Sequence, residues 1–405
     1  MDLKSGYPFW AVKNGLMHAF PAISADQRCD VLVIGAGITG ALITDELARH
    51  GHDVVVLEQR DVGWGSSAAS TALLQYEIDT HMVDLAKKYG DADALLAYQT
   101  CAQAIDQLAE LAASVRDVDF ARMDSLYFAS RTRDETSLRE EFALRAAHGF
   151  DVELLEPLEL RERYGIAAPV AILSSQAARI DPYRMTYRLL ARAQKLGASI
   201  YDRSALYDLK TTARGVVGKT QTGIRINAKH VVFAAGYASQ QWLPDQVARN
   251  RSSYAVISDP IDKPALGPLK NTMVWESARP YVYLRSTGDG RLLIGGEDDD
   301  LDIPARRDAL VEKKSKILLK RIHELFPDLP LVPAFSWGGT FAETDDGLPF
   351  FGAHPAWGPR AIFAMAYGGN GITYSMLGAG LIRALVERKH HPLAELYSFA
   401  RLKRT

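Results

Sequence analysis

The chain has 405 residues, 47% hydrophobic and 24% charged, with 47 basic and 49 acidic side chains and a formal net charge of −2. That length suits two domains rather than one, and a charge so near zero gives no electrostatic basis for binding nucleic acid. No stretch approaches the roughly 18 consecutive apolar residues of a membrane span, the N-terminus with Asp2, Lys4, Lys13, Asn14 and His18 lacks a signal-peptide core, and Cys29 and Cys101 lack metal-ligand spacing, so neither a disulfide framework nor a metal site is expected and the expected compartment is the cytoplasm.

Residues 30–58 read DVLVIGAGITGALITDELARHGHDVVVLE. Val31, Leu32, Val33 and Ile34 form an apolar run without alternation, as in a parallel strand buried on both faces. It ends in Gly35, Gly37 and Gly40 with the spacing GxGxxG. The first glycine permits a tight turn, the second lets a pyrophosphate approach the backbone, and the third lets the following helix pack against the strand. Ile38 and Thr39 then open that helix, whose free N–H groups face the phosphates. A second strand over 54–57 ends at Glu58, where a carboxylate can accept from both ribose hydroxyls, with Gln59 and Arg60 beside it. A nucleotide with an unphosphorylated 2′-OH is expected.

Three later segments bear on which nucleotide. Residues 63–74, GWGSSAASTALL, are small and hydroxyl-rich before turning apolar; 231–236, VVFAAG, form another buried-strand run ending in small residues; and 367–373, YGGNGIT, place glycines before an apolar stretch that reads as a helix. An NAD site needs only the first unit, whereas an extended FAD would use all four. In this order the segments resemble the D-amino acid oxidase, glycine oxidase and sarcosine oxidase superfamily of FAD-dependent oxidoreductases, over about residues 29–387. The nearest likeness is to a bacterial branch usually labelled simply FAD-dependent oxidoreductase, which shares the wording SSAASTALLQYEID and GGNGIT. The resemblance implies that Ser66, Ser67, Ser70, Thr71, Ala72 and Leu73 run past the pyrophosphate and flavin edge, that Leu206 gives backbone contacts to adenine, and that Ala235 and Gly236 lie near the nucleotide. It also places Gly369, Asn370, Gly371, Ile372 and Thr373 at the start of a helix facing the flavin pyrimidine carbonyls. Sarcosine oxidase-like relatives tether the flavin through a later cysteine; no cysteine follows position 101, so the FAD is expected to be non-covalent.

Along the chain, no repeat and no second GxGxxG after a strand appears. Residues 82–150 read mostly as helices, the region from Ile180 as a helix capped near Asp181 and Pro182 and closed at Gly197, and 253–296 as strands separated by Pro and Gly turns. The expected fold is α/β: a Rossmann-like FAD-binding domain from 1–80, 175–245 and 335–405, and a discontinuous substrate domain from 81–174 and 246–334, built on a mainly antiparallel sheet.

In such a protein the flavin accepts a hydride at N5 from the carbon beside a nitrogen, and an apolar site helps by disfavouring the ammonium form of the amine. Period two places Tyr281, Tyr283 and Arg285 on one strand face, with Tyr254 on a neighbouring strand, as substrate-pocket candidates. Relatives resembling glycine oxidase carry an arginine for the substrate carboxylate where this chain has Phe341; Arg285 or Arg279 would have to substitute, or Glu343 would receive a cationic amine. The acidic run 297–300 reads as a solvated face. The expected activity is oxidation of a C–N bond in a small amine or amino-acid derivative to an imine, as an oxidase or dehydrogenase, with oxygen or an unknown electron acceptor. The alternatives are a 2-hydroxy acid dehydrogenase and a partner-dependent flavoprotein subunit without independent turnover.

Overall fold

The computed structural model describes residues 2–300 and 302–403. Its first sheet is organised around Gln27–Ile34, which pairs in parallel with Val54–Leu57 on one side and with Arg225–Phe233 on the other. Val31, Leu32 and Val33 are fully buried because helices cover one face of the sheet and an antiparallel hairpin region covers the other. Each such side chain contributes about 1.5–3 kcal/mol of burial, which is why this run tolerates no polar alternation. Ser199–Tyr201 extends the parallel sheet beyond Val54–Leu57, and Ala361–Met365 extends it beyond Arg225–Phe233, with Phe350–Ala353 added antiparallel at that edge. Helices Ile38–Arg49, Pro182–Lys195 and Gly371–Val386 pack together on one face, with Asp91–Val115 against the last of them.

The helix expected after Ile180 begins at Pro182, and Asp181 caps it by accepting the Arg184 N–H at 2.9 Å. It closes before Gly197, which adopts φ 104.

The second sheet has nine strands, and every pairing is antiparallel except that of Thr272–Glu276 with Ala121–Phe128. Two central strands, Ala121–Phe128 and Ala171–Arg179, lie in stretches not expected to be strands. Boundaries drawn at 174/175 and 334/335 fall inside Ala171–Arg179 and Pro333–Glu343, both of this sheet. The cap at Asp181 marks the start of the next helix, and the strand before it runs on until the helix begins. Leu73–Leu74, expected in the first domain, pairs with Ala171–Arg179 and so belongs to this sheet as well. Helix Pro304–Leu325 covers the face turned away from the first sheet. No helix among the described residues is long and apolar enough to cross a membrane.

Candidate active site

The turn after the first strand is shaped to let a ligand come close. Gly35 takes φ 105, and a Cβ there would lie 2.5 Å from the Ala234 carbonyl oxygen; a Cβ on Gly40 would overlap the Gly35 carbonyl. The turn and the helix therefore lock together only with glycine at both positions. Gly37 opens helix Ile38–Arg49 without a side-chain cap of its own. The Ser67 hydroxyl accepts the Ile38 N–H at 2.8 Å, so the small, hydroxyl-rich loop takes up one of the N–H groups expected to face the phosphates. Glu58 accepts the Ala36 N–H through Oε2 and the Arg60 N–H through Oε1, both at 2.9 Å. Burial raises its carboxyl above the ordinary range, and these N–H donors oppose the shift.

A long cavity begins at this turn and runs between the two sheets. Gly35, Gly37, Ile38, Thr39, Glu58, Gln59 and Arg60 line one end with Leu206, and Ala235 and Gly236 line its side. Ser66, Ser67, Ser70, Thr71, Ala72 and Leu73 follow, and Gly369, Asn370, Gly371 and Ile372 bound the far wall. Gly40 and Thr373 do not line the cavity: Gly40 acts through helix packing, and Thr373 donates to the Gln75 carbonyl at 3.0 Å. The shape fits an extended dinucleotide, with a glycine cradle that any Cβ would fill and a Ser66 hydroxyl buried on the wall without a partner. Both cysteines are buried away from the wall, so no thiol borders the cavity.

The N-terminal segment also reaches this cavity, which the sequence did not reveal. Thr340 donates to the Leu3 carbonyl and Ser5 donates to the Gly338 carbonyl, each at 2.9 Å, so residues 3–5 add to the edge of Pro333–Glu343 and Leu3 lines the cavity. Trp10 donates to the Ser70 carbonyl at 2.8 Å and Trp337 to the Ala69 carbonyl at 2.9 Å, fixing the loop from both sides. Its only forewarning was the run of apolar residues at 8–12, which periodicity alone cannot assign to a site.

Beyond the loop the cavity widens into a chamber walled by Trp275, Tyr281, Tyr283 and Phe341. Tyr281 and Tyr283 lie with ring centroids 5.6 Å apart. Gln75, Glu77 and Asp79 line the same chamber, since alternate residues after Leu73 point inward. Asp79 accepts the Gly369 N–H at 2.9 Å, and buried Glu77 stands 4.0 Å from Arg145, whose Nε is bound to Glu141 at 2.7 Å. Three expected pocket side chains lie elsewhere. Arg285 is fully buried outside the cavity and donates to the carbonyls of Thr71, Ser286 and Ile180 at 2.7, 3.0 and 3.1 Å. Tyr254 points to the opposite sheet face, where it donates to Asp299 at 2.8 Å and packs with Val256, Val282 and Leu284 under the covering helix; only its backbone side faces the chamber. Glu343 is not a wall residue and pairs with Arg251 at 2.5 Å. The acidic run is also not a solvated face: Glu297 pairs with Arg321 at 2.6 Å and Asp299 with Lys314 at 2.8 Å.

A glycine-turn Rossmann sheet, a dinucleotide-length cavity and an aromatic chamber roofed by a second sheet define a nucleotide-dependent oxidoreductase. The chain belongs to the DAO family of FAD-dependent oxidoreductases, whose model matches residues 30–385. It is 28% identical over 374 residues to glycine oxidase of Geobacillus kaustophilus, covering 90% of this chain and 94% of that protein. It is 25% identical over 389 residues to gamma-glutamylputrescine oxidoreductase of Escherichia coli, covering 93% and 88% respectively. The crystal structure of the Geobacillus kaustophilus glycine oxidase superposes with a TM-score of 0.78 at 24% identity, over 93% of this chain and 99% of that one, and has the same fold.

Proposed function

We propose that this FAD-dependent enzyme oxidises a carbon–nitrogen bond in a small amine or amino-acid derivative, with the product imine hydrolysed by water. The observation that carries the reading is the chamber continuous with the dinucleotide cavity: aromatic walls disfavour an ammonium relative to a neutral amine, while Glu77 and Asp79 attract the cation on entry. FAD, when bound, supplies the hydride acceptor. The residues lining the rest of the cavity, from Gly35 to Ile372, would hold it without a covalent link. Glycine and gamma-glutamylputrescine, named in two relatives, both bear an amine.

Phe341 puts an apolar ring on the wall, so a carboxylate would be met there by no guanidinium. Arg279 also lines the chamber, exposed, 4.5 Å from the Tyr281 ring centroid. Arg279→Ala is expected to raise KM about tenfold for substrates bearing a carboxylate and to leave simple amines unchanged. Among the described residues no histidine lines the chamber, and His81 is held between Tyr127 and Ser137 at 3.1 and 3.2 Å; Asp79 on the wall is the carboxylate that the 2-hydroxy acid reading would need as its base.

The test is anaerobic bleaching of the flavin by D- and L-amino acids, N-methyl amino acids, polyamines and 2-hydroxy acids, followed by air. Bleaching by amines supports the reading, and the rate of recolouring separates oxidase from dehydrogenase. Bleaching by 2-hydroxy acids alone would replace it.

A further inference from the structure

After Leu73 the chain runs along the chamber with its side chains alternating. Leu74, Tyr76 and Ile78 are fully buried in the core behind it, and Gln75, Glu77 and Asp79 line the cavity. Glu77 is 3% exposed, and its Oε2 is buried without a hydrogen-bond partner. A carboxylate taken out of water with one oxygen unpaired is costly to the fold.

The cation nearest to Glu77 does not remove that cost. Arg145, on helix Glu135–Ala147, is fully buried against the rings of Tyr76 and Tyr98, 5.6 and 5.3 Å from their centroids, and does not line the cavity. Its Nε is bound to Glu141 at 2.7 Å, whereas its Nη1 stands 4.0 Å from Glu77 Oε1, beyond hydrogen-bond length. Glu141 is itself occupied, accepting the Met82 and Val83 N–H groups at 3.0 and 3.1 Å. Arg145 therefore steadies Glu77 by charge and leaves its lone pairs open. Asp79 has one oxygen on the Gly369 N–H at 2.9 Å and forms no ion pair among the described residues. Arg279, the cation on the chamber wall, is exposed over the Tyr281 ring, where water and salt screen it. Counted with Arg145 and Glu141, the groups around the chamber leave one negative charge unmatched.

That excess sets a requirement on the substrate. The nitrogen whose neighbouring carbon gives up a hydride must be neutral, and a carboxylate beside it would hold it as the ammonium instead. The two carboxylates suit a different nitrogen, one that stays charged while the first reacts.

We propose that Glu77 and Asp79 form a subsite for a second ammonium, and that the amine oxidised here is a diamine or a longer polyamine. The inference rests on the amine reading above. Trp275, Tyr281, Tyr283 and Phe341 wall the methylenes between the two nitrogens, and the far ammonium supplies the donor that Glu77 Oε2 lacks. Burial raises the Glu77 carboxyl and the Arg145 guanidinium opposes the rise; the second ammonium acts in the same sense as Arg145 and keeps the carboxyl ionised. The step at the reacting nitrogen is the one already given, and neither proton nor electron passes through the subsite.

The test measures anaerobic flavin bleaching of the holoenzyme by diaminobutane, aminobutanol and butylamine and by their pentyl and hexyl counterparts, in which the far ammonium is kept, replaced by a hydroxyl, or removed. The best diamine is expected to reach half-saturation at a concentration about tenfold or more below that of its amino alcohol and its monoamine. Glu77→Gln and Asp79→Asn should each shrink that ratio about threefold or more, through half-saturation rather than the limiting rate, a split that a merely structural role would not produce. Each variant is checked for flavin content, and if Glu77→Gln sheds its flavin, Asp79→Asn and the wild-type ratio decide. A wild-type ratio near one, bleaching by amino acids but by no diamine, or a preference left intact in the flavin-bearing variants would overturn the subsite while leaving the amine reading standing. Absence of bleaching by every amine and amino acid would overturn the amine reading and the subsite together.

Discussion

Ala72 sits on the cavity wall with φ 51, a left-handed conformation that costs a residue with a Cβ about 1–2 kcal/mol. Its N–H is held by the Ser70 hydroxyl at 3.1 Å, and the Thr71 carbonyl beside it by Arg285 at 2.7 Å. Ala72→Gly is expected to raise stability by about 1 kcal/mol, read as a higher Tm with flavin retained. Arg285 acts in the opposite sense. Its charge is buried against three carbonyls, and burial lowers its pKa to about 10. Arg285→Ala would free the Thr71 carbonyl and remove those bonds, lowering stability by about 3–5 kcal/mol in denaturant titration and releasing flavin from a loosened loop.

Asp298 has its own stability signature. Its folded-state carboxyl is raised from 3.8 to about 7, so the neutral form is favoured in the fold. That contribution is fully present below about pH 4 and is lost as pH rises through about 7, on the order of 4 kcal/mol in all. Asp298→Asn stays neutral at every pH. Its Tm relative to wild type should climb between about pH 4 and about pH 7 and level off above, and a flat difference across that range would show that the carboxyl is not raised.

At the scale of elements, the first βαβ unit was readable because each of its constraints is local. A buried-both-faces strand, a turn that excludes Cβ atoms and a tip carboxylate all leave marks within 30 residues. The helix at Pro182–Lys195 was readable for the same reason, through Asp181 and Gly197 at its ends. Strand Ala121–Phe128 was not, because it follows a 25-residue helix and its partners lie some 50 and 150 residues away. The acidic run was read from its charges and Tyr254 from its place on a neighbouring strand, neither with a face assigned, and both turn toward the cations of the covering helix. Alternation assigns faces only while register holds, and the bulge between Gly296 and Asp299 shifts it by one. Gly295 shows how tightly the chamber depends on that strand. Gly295→Ala should push the Tyr283 ring off the sheet and reduce kcat/KM at least tenfold, while visible absorbance shows the flavin still bound.

The molecule as a whole closes its cavity with parts drawn from both ends of the chain. Residues 3–5 seal the edge at Gly338 and Thr340, and the start of helix Gly371–Val386 bounds the far wall. Removing residues 2–8 should leave the central sheets folded and speed flavin release, visible as returning flavin fluorescence after dilution. Ala361–Met365 is the last parallel strand in the order of the chain, yet it lies inside the cofactor sheet, between Arg225–Phe233 and the edge strand Phe350–Ala353. A chain cut before that strand would leave the glycine cradle with its far wall missing, so the cavity is completed only when residues 361–372 join the sheet laid down by residues 27–57.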